Sequence, residues 1–196
     1  APFKCVLTWG NPKLVVITGP NASGKSVLRK ILHNRCADNK LMYVSASQEG
    51  RCASSGLQRV MMYGNENEDS TGYNSVKQIL SCLKSIKSYS KPCVVMLDEP
   101  EIGCSEEVQS AIGLRLAEEV YHMDNMPYVQ CIFVITHSRQ LVKELMCVSP
   151  SHWHLAEHGL TLKEFVDREI VPANLEELIE NGHKNWHIVN KFVGKR

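Results

Sequence analysis

Long hydrophobic runs are missing from this sequence: the longest uninterrupted apolar stretches are about five residues, against the roughly 20 that a membrane-spanning helix needs. An excess of one charge is missing too. Lysine and arginine number 22, aspartate and glutamate 21, for a net charge of +1. A chain dedicated to a basic nucleic-acid groove carries more than that, so DNA binding is neither demanded nor ruled out. There is no internal repeat, no low-complexity tract and no long coiled-coil insertion, which removes collagen-like, disordered and coiled-coil readings. The eight cysteines form no CxxC pair, and several lie inside apolar runs such as Cys93-Val94-Val95 and Cys131-Ile132-Phe133. They are read as reduced, mostly buried thiols that behave as small hydrophobes. The first residues, Ala1-Pro2-Phe3-Lys4-Cys5, lack the apolar segment of a secretory signal. The expectation is a cytoplasmic protein with no membrane association.

What is present is an ordinary globular composition, 43% hydrophobic and 22% charged over 196 residues. A chain of this length makes about one domain and buries roughly two-thirds of its unfolded surface, enough for a core without staples. Strand and helix signals alternate, the pattern of a parallel α/β sheet. Leu14–Thr18, Leu41–Val44, Cys93–Leu97 and Val129–Thr136 read as strands. Cys93-Val94-Val95-Met96-Leu97 is apolar on both faces, as a strand covered by helices on each side should be. Helices are expected over Lys25–His33, Asn74–Lys87 (with apolar Val76, Ile79, Leu80, Leu83 and Ile86), Val108–Val120 and Gln140–Met146. Residues 49–73 are polar and loop-like. After residue 147 a smaller unit is expected: a hairpin around Trp153 to Gly159, a helix capped by Thr161 and another capped by Asn174 that stops at Gly182.

The strongest chemical signal is Gly19-Pro20-Asn21-Ala22-Ser23-Gly24-Lys25-Ser26, which fits the phosphate-binding pattern G-x-x-x-x-G-K-[ST] between a strand and a helix. Backbone N–H groups of such a loop wrap phosphates, and the following helix adds the positive end of its dipole. Glycine at 19 and 24 permits the curled backbone. Lys25 reaches the β- and γ-phosphates, and Ser26 can ligate Mg²⁺. Residues Gly19 to Val27 are therefore the candidate nucleotide contacts. Val94-Val95-Met96-Leu97-Asp98-Glu99-Pro100 supplies the second half: a buried strand ends in Asp98, which can serve Mg²⁺, and Glu99 can orient and deprotonate water. An acidic pair at this point can equally cap the next helix. His137, in Ile135-Thr136-His137-Ser138, ends a third strand on the same expected edge. It can donate to a γ-phosphate or to the attacking water, or it can be a plain strand-end residue.

The ordered set GPNASGKS, VVMLDEP and ITHS resembles the ATP-binding cassette class of P-loop ATPases, and within it the soluble SMC/RecF type of head without a coiled-coil insertion. The resemblance covers about residues 1–147, an ATPase core, and leaves 148–196 as an α/β appendix packed on it. It implies a P-loop NTPase fold with a mostly parallel sheet flanked by helices. It also implies Lys25 and Ser26 as the Walker A pair, Asp98 and Glu99 as the Walker B pair, and His137 as the switch histidine. Gln48 stands where the class places a glutamine that senses Mg²⁺ and water, and Ile102–Glu106 where its D-loop lies. The class signature that contacts the opposite subunit's γ-phosphate has Ser70-Thr71-Gly72 as its candidate, with one glycine, and Tyr73 where a second glycine or an acid is usual.

The resemblance thus implies Mg²⁺-dependent hydrolysis of ATP, with a homodimer closing on ATP and a protein or DNA partner coupled to it. A small-molecule kinase, with Arg51 and Arg59 in a lid, and a nonhydrolysing nucleotide-dependent interaction module remain as alternatives. Other features are weaker. His152, His154 and His158 lack companion ligands at metal-site spacing. Trp186 and His187 read as packing residues, Lys184, Lys191, Lys195 and Arg196 as a solvated tail, and Glu118-Glu119 and Glu176-Glu177 as exposed helix faces.

Overall fold

The computed structural model describes residues 6–47, 70–156, 159–180 and 182–183. Strands β1 (Val6–Thr8), β2 (Asn11–Thr18), β3 (Met42–Ser47), β4 (Cys93–Asp98), β5 (Val129–Ile135) and β6 (Pro150–His154) form one sheet. Their order is β1-β6-β2-β5-β4-β3. Every pairing is parallel except β1 with β6. Helix α1 (Lys25–Asp38) follows β2, α2 (Thr71–Ile86) precedes β4, and α3 (Glu106–Tyr121) joins β4 to β5. Helix α4 (Arg139–Leu145) joins β5 to β6, and α5 (Leu162–Asp167) comes after the sheet. No described helix is long and apolar enough to cross a membrane.

Alternation along β2 separates two cores. Leu14 and Val16 face a cluster built from Ile79 and Leu83 of α2, Leu116 of α3, Leu141 and Leu145 of α4 and Phe165 of α5. Val15 and Ile17 face the other side, against Leu28 and Leu32 of α1. Both faces are therefore covered, which is why β2, β4 and β5 need continuous apolar runs rather than alternation. Ser70 starts α2 by accepting from the Tyr73 N–H, three residues before the expected start. Ser138 caps α4 in the same manner, and Thr161 with Glu164 forms the capping box of α5. Asn174 Oδ1 accepts from the N–H groups of Glu176 and Glu177 and opens a helical stretch over 175–180, as expected, but 182–183 are helical as well, so the expected stop at Gly182 is not observed.

Two expectations are corrected. Trp153 and His154 do not form a local hairpin: they belong to β6, which lies parallel to β2 and antiparallel to β1. The alternating His–Trp–His pattern is satisfied by a central strand whose partners are more than a hundred residues away. The segment after residue 147 thus supplies a strand of the main sheet. Nor is Glu119 on an exposed face. It is 4% exposed, accepting from Lys87 Nζ at 2.8 Å and from Arg115 across one helical turn. The six described cysteines are thiols, with Cys36 and Cys93 buried and Cys147 at the surface.

The sheet's register positions the chemistry. Ile17 pairs with Ile135, Ile135 with Asp98, and Asp98 with Ser47. On the opposite side of β2, Thr18 pairs with His154. The C-terminal ends of five strands consequently fall in one row, the edge where parallel sheets collect their loops.

Helices α3 and α4 cross at Gly113, where a Cβ would sit 2.7 Å from the Leu141 carbonyl oxygen. Gly113→Ala should overpack this crossing and cost about 1–3 kcal/mol. A urea titration should show a lower midpoint with an unchanged slope; an unchanged midpoint would mean the helices separate freely.

Candidate functional site

Residues 19–24 connect the buried end of β2 to α1. Ala22 and Gly24 take positive φ, 59° and 96°. Gly24 ends the loop in a conformation that glycine adopts without strain, and its carbonyl accepts from the N–H groups of Val27 and Leu28. At Gly19 a Cβ would lie 2.7 Å from both Ser23 Oγ and the Leu155 oxygen, so the curl leaves no room for a side chain. Helix α1 has no side-chain cap and no acid in its first turn, so its positive end is left uncompensated. Ser26, on that turn, is exposed.

Lys25 turns back into the loop. Its ammonium donates to the carbonyls of Gly19 at 3.0 Å and Pro20 at 2.8 Å, with the residue 7% exposed. Burial pulls its pKa down to about 8, against the opposing pull of Glu99 and then Asp98. Among the described residues the ammonium's hydrogen bonds go to carbonyls, and a buried cation at the N-terminal end of a helix is electrostatically matched to an anion.

Asp98 ends β4. Burial raises its carboxyl pKa, opposed chiefly by Arg29, whose Nε lies 3.4 Å from Oδ2. Arg29 also donates to Ser47 Oγ at 3.2 Å, tying β3 to the same group. Glu99 follows with φ of 50°, a left-handed conformation that is costly for a residue with a Cβ. Its N–H donates to Ile135 O at 2.9 Å, which anchors the turn to β5.

His137 stands across from this turn, with Nε2 3.6 Å from Glu99 Oε1 and both side chains partly exposed. Its pKa is lowered, by burial first and then by Lys25. Lys25, Asp98, Glu99 and His137 are therefore within one another's fields at a single edge. Sequence reasoning passed over two neighbours. Arg29 lies four residues after Lys25, the spacing of one helix face, and that signal was available. Glu101, in the turn after Glu99, is 8% exposed and binds the β5–α4 loop; nothing in its spacing distinguishes it from a turn acid.

Ser70 and Thr71 are exposed at the start of α2. Gly72 is pressed against the turn after β4, where a Cβ would meet the Gly103 oxygen at 2.5 Å. Cys104 Sγ donates to the Gly72 carbonyl and Ser75 Oγ to that of Ile102, so the candidate signature and D-loop segments touch within one chain. Gln48, Arg51, Arg59, His158, Trp186, His187 and the basic residues from Lys184 onward lie outside the described residues. No group of three or more potential His, Cys, Asp or Glu metal ligands occurs among the described residues. Ser26 and Asp98 offer the hard oxygen donors that suit Mg²⁺, which takes one or two protein ligands alongside phosphates and water.

A scan against protein families gives no match to the chain, and a search of curated proteins gives none either.

His152 and His154, weighed earlier as metal ligands, are both buried and share one hydroxyl. Thr18 Oγ1 lies 2.7 Å from His152 Nε2 and 2.8 Å from His154 Nδ1. The hydroxyl has one proton and two lone pairs, so at most one ring nitrogen accepts from it and at least one donates to it. His152 Nδ1 has no hydrogen-bond partner among the described residues. Burial, with His154 alongside, lowers the His152 pKa from 6.5 to about 4. Above pH 6.5 the imidazole is neutral in both folded and unfolded chains. Below it the unfolded chain takes the proton first, so stability falls progressively down to about pH 4. The loss is on the order of 3 kcal/mol. His152→Asn should flatten the dependence of the urea midpoint on pH across this window relative to the unsubstituted protein; parallel curves would contradict the assignment.

Proposed function

We propose that the chain is an ATP-binding cassette-type P-loop ATPase that binds Mg·ATP at residues 19–27 and hydrolyses it to ADP and phosphate. The observation that carries the reading is Lys25: a buried ammonium at the end of the glycine loop, hydrogen-bonded to the Gly19 and Pro20 carbonyls, beside Asp98 and Glu99. The β- and γ-phosphates would draw Lys25 away from those carbonyls, while loop N–H groups and the start of α1 receive the remaining oxygens. Ser26 and Asp98, with Gln48 as a further candidate, would hold Mg²⁺. The ion, when bound, would offset the charge that develops on the phosphate oxygens.

Glu99 would orient a water and accept its proton. The water oxygen bonds to the γ-phosphorus as the bond to the bridging oxygen breaks, and ADP leaves. His137, whose pKa is lowered by burial first and then by Lys25, would donate from a ring N–H to the terminal phosphate. Exposed Ser70 and Thr71, at the start of the 16-residue helix α2 with no acid in its first turn, support a contact with a second copy's γ-phosphate. ATP would then close a homodimer and hydrolysis open it. Such a cycle can time the grip on a protein or DNA partner, an extension that rests on analogy of fold class alone.

Lys25→Ala should weaken ATP binding at least about 10-fold in titration calorimetry, since a charge-assisted phosphate contact is lost. Glu99→Gln should cut phosphate release about 100-fold or more while retaining ATP and doubling the mass seen by light scattering. Phosphate transfer only to an added acceptor would favour a kinase. Turnover and dimer lifetime unaffected by Glu99→Gln would favour a nonhydrolysing module.

A further inference from the structure

We propose that Glu101 is the positioning residue for His137: one carboxylate oxygen fixes the loop after β5 so that the imidazole is held toward Glu99. The inference rests on the reading of the site as an ATPase and gives a role to Glu101, the last residue of Asp98-Glu99-Pro100-Glu101, to which the sequence reading assigned none. Glu101 Oε1 accepts from three consecutive residues, the Thr136 hydroxyl at 2.6 Å, the His137 N–H at 3.1 Å and the Ser138 N–H at 3.2 Å. These residues connect the last residue of β5 to the first of α4.

Among the described residues no cation pairs with this carboxylate, and its Oε2 is buried without a partner. Burial raises its pKa against the hydrogen bonds that favour its charge. A half-satisfied buried carboxylate is a poor way to stabilise a fold. What it does provide is geometry. The turn that carries Glu101 is tied to β5 through Glu99 N–H and Ile135 O, so Glu99 and the backbone of His137 are set by the same few atoms. Ser138 Oγ is braced in turn by Gln109 Oε1 at 2.7 Å. His137 contributes only its backbone N–H to this clamp, which leaves the ring free to face Glu99 at 3.6 Å.

The test compares Glu101→Ala and Glu101→Gln, each with and without His137→Ala, in the full chain. Glu101→Ala should lower kcat about 10- to 100-fold, the scale of a displaced catalytic group, with the KM for ATP changed less than about 3-fold. In the His137→Ala background the same change should cost less than about 2-fold, because the group it positions is gone. Glu101→Gln keeps an acceptor oxygen and should recover most of the loss. In nucleotide-free protein, the ¹H–¹³C signal of the His137 ring should move in Glu101→Ala and return in Glu101→Gln. An equal loss in both backgrounds, or an unmoved His137 signal in folded Glu101→Ala, overturns the proposal. Absent phosphate release in the unsubstituted protein would fail the ATPase reading alone, and the ring signal would still decide the positioning. Should Glu101→Ala not fold, Glu101→Asp, which keeps the charge and shortens the reach, takes its place with the same expected losses.

Discussion

The site depends on register. Because Ile17, Ile135, Asp98 and Ser47 pair in sequence across four parallel strands, the glycine loop, the acidic turn and the histidine loop leave the sheet at one height. A slip of one residue in β4 would turn Asp98 to the opposite face and carry Glu99 away from His137. The apolar layers on both sides of β2 and β4 make such a slip prohibitive, since every buried side chain would change face. Packing far from the chemistry therefore fixes the distances within it.

The edge that results is polar, partly buried and electrostatically unfinished. Lys25 gives up hydration for two carbonyls, Asp98 leans on Arg29, and Glu99 holds a left-handed backbone. The buried ammonium and the left-handed glutamate are unfavourable taken alone. On the proposed reading, a triphosphate with its metal ion would give the ammonium a further anion and Asp98 a further cation. The buried Thr18–His152–His154 group beneath the loop belongs to the same economy of polar burial, one hydroxyl serving two rings.

Most of this was legible in the residues. Continuous apolar runs announced β2, β4 and β5, because strands covered on both faces cannot alternate. The strand–glycine loop–helix context marked residues 19–26, and strand-end logic brought Asp98, Glu99 and His137 to one edge. Other parts were hidden for physical reasons. β1 has three residues, too few for periodicity, and β6 is set by partners distant in sequence. Its alternating histidines, the pattern of a half-buried strand, read as part of a local hairpin because nothing local shows that Thr18 receives them. Glu119 resembled its exposed neighbour Glu118, although its place three residues after buried Leu116 put it on the inner face. Glu101 was the least legible, since its partners lie in a loop more than thirty residues away.

The central claim is that the row of strand ends is organised around one terminal phosphorus. The most direct measurement is a crystal structure of the protein with Mg²⁺ and a nonhydrolysable ATP analogue. The triphosphate should occupy the 19–26 loop, with Lys25 Nζ moved from the Gly19 and Pro20 carbonyls to the β- and γ-phosphate oxygens and with Glu99 and His137 both facing the γ-phosphate. A nucleotide bound elsewhere, or Lys25 still on its carbonyls with the loop empty at saturating analogue, would contradict it.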